Sequence, residues 1–136
     1  RMVKADGSSA IQNTGISIND SDQIDDVKTL AYASLYDNGN SGSAKTINWN
    51  NGQKQKITLN AATPTLTFTA PQGPCNLILE MIQDSTGSRN PVWPSTVKWP
   101  AATEPTWSGS NKVDIIALFY DGTNYFSVAS LNFTVT

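Results

Sequence analysis

Residues 75–133, CNLILEMIQDSTGSRNPVWPSTVKWPAATEPTWSGSNKVDIIALFYDGTNYFSVASLNF, decide the fold. The opening run, Cys75 to Ile82, is apolar on both parities. Leu77, Leu79 and Met81 share one face, while Ile78 and Ile82 share the other with Glu80. Turn formers bound the run, Pro71-Gln-Gly-Pro74 before it and Asp84-Ser-Thr-Gly87 after, which predicts a strand covered on both sides. Lys112 to Tyr120 reads the same way. Val113, Ile115, Ala117 and Phe119 lie on one face, and Asp114, Ile116, Leu118 and Tyr120 on the other. Asp121-Gly-Thr-Asn124 predicts a hairpin turn, with Tyr125 to Leu131 returning. Between the long runs, Trp93-Pro94 and Trp99-Pro100 flank Val97. A proline cannot donate to a ladder, so these pairs mark strand ends or an edge.

Upstream, Ile47 with Trp49, Ile57 with Leu59 and Leu66 with Phe68 alternate with polar residues. One apolar and one polar face per strand predicts an antiparallel sheet, packed on one side and wet on the other. Asn51-Gly52 predicts a hairpin between the first two of these strands. Tyr32 to Tyr36 is expected as the first strand, and Asp37 to Ser43, dense in Asn, Gly and Ser, as a loop. The total is about eight strands without βαβ alternation. The expected class is all-β: an antiparallel jelly-roll-like β-sandwich over residues 31–136.

Residues 1–30 differ. Their only large aliphatics after the first few positions are Ile11, Ile16, Ile18, Ile24, Val27 and Leu30, spaced among small and polar residues. These cannot form a core alone, but they can be buried by pairing with copies of themselves in other chains. The alternative is a leader docking loosely on one sandwich. A very short strand at Ile16–Ile18 and at most one helical turn near Asp25–Leu30 are expected. The acidic run Asp20, Asp22, Asp25, Asp26 fails as a calcium loop. Counted from Asp20, the sixth position is Asp25 rather than Gly and the twelfth is Ala31 rather than Glu. The second faces of the long strands, taken as Ile78, Ile82, Ile116 and Leu118, also need cover. A neighbouring subunit, a covering loop or the arm would supply it.

The chain has 136 residues, a net charge of −2 and 15% charged residues. That balance leaves no electrostatic footprint for nucleic acid and no polybasic cluster for a membrane surface. No apolar run is long enough for a membrane-spanning helix, so insertion is not expected. Cys75 is the single cysteine and is expected to act as a small buried hydrophobe. The chain has no histidine, which removes serine–histidine and cysteine–histidine catalysis and zinc sites of the usual kinds. Glu80 and Glu104 are the only glutamates, and most aspartates sit at turns, so nothing places two acids across a sugar bond. Asp114, an acid among apolar strand residues, is expected to accept hydrogen bonds from a neighbouring loop, Lys98 or Arg89. No catalytic residue, metal or cofactor is expected, and the chain is read as a non-enzyme.

The order Leu77-x-Leu79, Gln83-Asp84, Gly87, Val97-x-Trp99-Pro100, Pro105-Thr106, Val113-Asp114-Ile115, Phe119, Asp121-Gly122-Thr123 and Tyr125 resembles a β-sandwich domain of tailed-phage structural proteins. These are tail fibres, head fibres and related virion appendages. With the preceding strands the resemblance spans roughly residues 44–131. The segment AIQNTGISINDS-x-x-I-x-x-V-K-x-L (10–30) is similar to the intertwined threefold β-segments that precede phage fibre heads, which implies that residues 1–30 are an extended β-arm that trimerises as a stalk. The resemblance implies a virion location, a homotrimer joined to other virion proteins, and a head that recognises a host-surface glycan or protein. A purely structural decoration or head-fibre role, and a carbohydrate-binding module, are the alternatives. The sandwich appearing to run to the end of the sequence leans towards a distal tip. Trp93, Trp107 and Tyr125, at loops and strand ends, are the candidate ligand-binding aromatics; Trp49, Trp99, Phe68 and Phe119 fit core positions by parity. Trimerisation is assigned to Ile11, Ile16, Ile18, Ile24, Val27, Leu30, Ile116 and Leu118.

Overall fold

The structure, a computed structural model, describes residues 29–135 together with two short segments at 17–18 and 24–25. The chain divides into two units, Arg1–Tyr32 and Ala33–Thr136. In the first unit, β1 (Ser17–Ile18) pairs antiparallel with β2 (Ile24–Asp25). Leu30 is exposed. Ile11, Ile16, Val27 and most of the acidic run lie outside the described residues. So do residues 26–28 of the expected helical turn, whose first residue, Asp25, is in β2.

The second unit is all-β, with no α-helix among the described residues. Its strands are β3 (Tyr36–Asn40), β4 (Ala44–Asn48), β5 (Lys54–Leu59), β6 (Thr65–Thr69), β7 (Cys75–Gln83), β8 (Val97–Lys98), β9 (Lys112–Tyr120) and β10 (Tyr125–Thr134). Six form one sheet in the order β3-β5-β7-β9-β10-β8, and β4 pairs with β6 in a second, two-stranded sheet. Ile47 of β4 and Leu66 of β6 share one core with Ile57, Leu59, Leu77, Leu79, Met81, Ile116 and Leu118 of the large sheet, an arrangement that fits a two-layer β-sandwich.

The pairing corrects the expected antiparallel order in the first half. β3 with β5, β5 with β7 and β4 with β6 are all parallel. The chain winds as a coil: each turn lays one strand in the large sheet, crosses to the small one and returns. Asn51-Gly52 is therefore a corner between layers and not a hairpin. A 3₁₀ turn, Trp49–Asn51, leads into Gly52 at φ +148°. Buried Gln55 then holds the corner: its Nε2 donates to the carbonyls of Asn48 and Gly52, both at 2.8 Å, and its Oε1 accepts from Asn38 Nδ2 at 2.9 Å. Alternation marks which face of a strand is apolar, and it carries no information on which strand lies beside it. The first strand of this unit also moves, from the expected 32–36 to Tyr36–Asn40. Gly39, at φ +67° inside a register shift, lets that Asn/Gly-rich segment pair with β5 despite its loop-like composition.

In the second half the expected hairpin forms. β7, β9 and β10 pair antiparallel, and β8 adds to β10 in parallel at the edge through Val97 opposite Tyr125. At the hairpin, Asp121 Oδ1 accepts from the backbone N–H groups of Thr123 (2.8 Å) and Asn124 (2.7 Å).

Face assignment in β9 is corrected. Leu79 lies opposite Ile116 and Leu77 opposite Leu118, so Ile116 (0% exposed) and Leu118 (3%) belong to the core of their own chain and are closed to a partner. Ile78 pairs with Ala117, and that outward parity carries Phe119, which is exposed rather than in the core. Both parities of β9 are apolar, and its register against β7 selects the inner one.

Candidate functional site

Two loops after β7 and before β9 meet at the surface, and their geometry is held by side chains that alternation alone does not distinguish. Asp84 organises the first. Its carboxylate receives the backbone N–H groups of Thr86 (3.0 Å) and Gly87 (2.9 Å), and it takes both Nε (3.0 Å) and Nη2 (2.6 Å) of Arg89. Gln83, buried at the end of β7, mimics a strand partner: its Oε1 accepts from Arg89 N (2.9 Å) and its Nε2 donates to Arg89 O (3.2 Å). Gly87 (φ +69°) and Ser88 (φ +53°) are both left-handed, and Ser88 N donates to Ser108 O at 3.1 Å, which ties this loop to the second.

The second loop is gathered by Glu104. Its Oε1 accepts the indole N–H of Trp93 (3.0 Å) and of Trp107 (2.7 Å). Trp93, Trp99 and Trp107 form a three-ring cluster with centroids 5.5–5.6 Å apart. It continues through Phe68, whose ring meets Trp93 (6.2 Å), Trp49 (5.6 Å) and Tyr125 (5.0 Å) edge-on. Each such pair adds about 0.5–1.5 kcal/mol beyond area burial. The base of the loop is fixed by Asp114, fully buried, whose carboxylate accepts from Ser108 N (3.2 Å), Ser108 Oγ and Asn132 N (3.0 Å). The expected loop partner is thus present. Lys98 instead donates to Ser95 O and Arg89 is held by Asp84. The bulge in β10, with Asn132 at φ +68°, turns that N–H towards the carboxylate.

Between the loops lies a cleft of about 410 Å³ lined by Ser88, Arg89, Asn90, Glu104, Pro105, Thr106 and Trp107. The three aromatics proposed from sequence divide. Trp93 is half-buried and bonded to Glu104, away from the cleft lining. Trp107 reaches the cleft but is 6% exposed, which corrects its expected exposure. Tyr125 is 3% exposed and stacks on Tyr120 at 4.5 Å, so it is a core residue rather than a ligand contact. Arg89, Asn90, Glu104 and Thr106 were missed as site residues; the signals near them were the Asp84-x-x-Gly87 turn spacing and the Pro105-Thr106 pair of the motif.

A second surface lies on the outer face of the large sheet. Phe119 (48% exposed), Phe126 (51%) and Val128 (58%) sit there beside half-buried Ile78 and Ala117 and line an open groove of about 280 Å³. Cross-strand pairing puts Phe119 opposite Phe126 and Ala117 opposite Val128, so the patch is continuous.

The titrating groups set the pH range of the frame. The Arg89 guanidinium, helped by the N–H of Gly87, holds the Asp84 carboxyl down at about 2. Backbone N–H groups of Asn124 and Thr123 lower Asp121, and Gly39 N–H followed by Lys56 lowers Asp37. An unfolded aspartate titrates near about 3.9, so these groups stabilise the fold above about pH 4, and the stabilisation is lost as pH falls below that, for Asp84 as it approaches about 2. Burial pushes the Tyr125 phenol up to about 12, so its contribution is complete below about pH 10 and is lost as pH rises through 12. Urea midpoints should fall on both limbs, and Asp84→Asn should flatten the acid one. An acid limb unchanged in Asp84→Asn would refute that assignment.

Fold and site define an all-β domain whose loops carry its chemically varied surface. Residues 38–125, more than half of the chain, match the family model described as "Putative phage tail fibre C-terminal domain", and the chain belongs to this family. It is a phage tail fibre domain with a place in the virion. Comparison with curated proteins and with solved structures gave no match.

Proposed function

We propose that this chain is the head of a homotrimeric tail fibre that attaches the phage to its host's surface and performs no catalysis of its own. The observation that carries the reading is the family match over residues 38–125, from within β3 to the first residue of β10. A fibre head works by contact. Three weak sites on one stalk, joined to other virion proteins, gain affinity from effective concentration without any new chemistry.

The outer apolar face supports the trimer. Phe119, Phe126 and Val128 are large apolar groups left about half exposed side by side on one sheet face, where they form a continuous patch. A second copy of the chain, met again around a threefold axis, is the occupant this reading assigns to them, with the aliphatics of residues 11–30 adding a second contact. Light scattering on the full chain should give a trimer mass, and Phe119→Lys with Phe126→Lys should lower it while leaving the denaturation midpoint of the separated subunit intact. A monomeric wild-type mass would refute the trimer. Failure of the protein to adsorb to susceptible bacteria would refute host attachment.

A further inference from the structure

The cleft between the two clamped loops is held far more firmly than exposed loops require. A bidentate ion pair, a glutamine mimicking a strand partner, one carboxylate oxygen shared by two indoles, and a non-glycine residue in the left-handed region all act on 83–89 and 104–107. Strain of this kind persists where surrounding structure over-determines it, and rigid presentation lowers the entropic cost of binding.

The frame leaves particular groups uncommitted. Among the described residues Ser88 Oγ, the Asn90 side-chain amide, Thr106 Oγ1 and the second oxygen of Glu104 have no hydrogen-bond partner, and all four belong to the cleft lining. They offer two hydroxyls, an amide that both donates and accepts, and a carboxylate acceptor, over a small apolar floor made by Pro105 and the edge of Trp107. No large hydrophobic side chain is exposed in the cleft, so it lacks the apolar anchor pocket a peptide ligand needs. Its volume of about 410 Å³ suits a small ligand. Charge narrows the class further. The only cation in the lining, Arg89, already has its charge matched by Asp84, whereas Glu104 has none beside it. The balance is negative and opposes an anionic ligand.

We infer that this cleft binds a neutral saccharide unit, its hydroxyls held by Ser88, Asn90, Glu104 and Thr106. The inference rests on the host-attachment reading and deepens it. A two-dimensional NMR titration of the full chain with the methyl glycosides of glucose, galactose, mannose and N-acetylglucosamine tests it, with methyl glucuronide as the acidic comparator. At least one neutral glycoside should shift the amides of 88–90, 104, 106 and 107, and the glucuronide should bind several-fold more weakly. Asn90→Ala with Thr106→Ala, both exposed and outside the clamping bonds, should weaken binding about tenfold. Glu104→Gln keeps an acceptor for the indoles and should narrow the gap between neutral and acidic sugars, which a merely structural role would not do. No shift with any neutral glycoside, or shifts elsewhere, overturns the inference. Adsorption to susceptible bacteria separates the two levels. If the protein adsorbs and the Asn90/Thr106 double variant adsorbs equally, the cleft assignment fails and host attachment stands. If the wild type does not adsorb, both fail.

Discussion

Gly87→Ala is expected to cost more than about 4 kcal/mol, in the range where a domain of ordinary stability no longer folds. Two independent effects act at one atom. Gly87 sits at φ +69°, where any side chain is strained, and a Cβ there would lie 2.0 Å from Ser110 N and 2.4 Å from Gly109 C. Both neighbours are backbone, so no side chain can swing aside. Gly87 is where the first loop passes against the second, and moving either would break the Ser88–Ser108 bond and open the cleft. Gly109→Ala is the control, because its Cβ would meet nothing within 4 Å; it should change stability by less than about 0.5 kcal/mol. Urea denaturation and soluble yield of both variants decide the matter. A Gly87→Ala protein with a wild-type midpoint would show that the close approach of the loops is wrong.

Asp114→Ala carries the second large effect. The carboxylate is fully buried and accepts three hydrogen bonds, so truncation strands Ser108 N, Ser108 Oγ and Asn132 N at once. Leaving the two buried donors of Ser108 unpaired costs about 1–3 kcal/mol each, and the N–H of Asn132, on an exposed residue, adds less, so a loss of about 3–5 kcal/mol is expected. Asp114→Asn retains the oxygen that serves Ser108 Oγ and Asn132 and loses only the bond from Ser108 N. It should therefore lie well above the alanine variant in denaturation midpoint. Equal losses for Asn and Ala would mean that charge, rather than the acceptor geometry, holds the loop. Because the bulge of β10 and the base of the second loop meet at this carboxylate, hydrogen exchange at 104–110 and 130–133 should rise together in the alanine variant.

Asp114 and Gly87 also mark how far the sequence could be read. Both stood in the motif that resembles phage fibre domains, and Asp114 was conspicuous as a lone acid between apolar neighbours, so its structural pairing was legible. Its partners were not, because Ser108 and Asn132 are ordinary loop and strand residues until a bulge turns one N–H towards it. The cleft is a similar case. The turn at Asp84–Gly87 is a local signal, but Arg89, Asn90, Glu104 and Thr106 are polar loop residues of no fixed spacing, brought together only when the two loops cross. The tryptophans misled for the opposite reason. A loop tryptophan reads as exposed, yet Glu104 draws two indoles to one oxygen and packs Trp107 out of solvent.

The all-β class, the long strands β7 and β9, the Asp121–Asn124 hairpin and the prolines around β8 were determined by the chain's own local pattern. Alternation, turn chemistry and the missing proline N–H act within a few residues and can be read in order. Strand pairing beyond that hairpin was decided only in three dimensions. The Asn51-Gly52 corner crosses between sheets because Gln55 secures it and parallel neighbours are available, neither of which is a local property. The same holds for the two faces of β9. With apolar residues on both parities, burial of Ile116 and Leu118 and exposure of Phe119 depend on the register against β7, a contact between residues far apart in sequence.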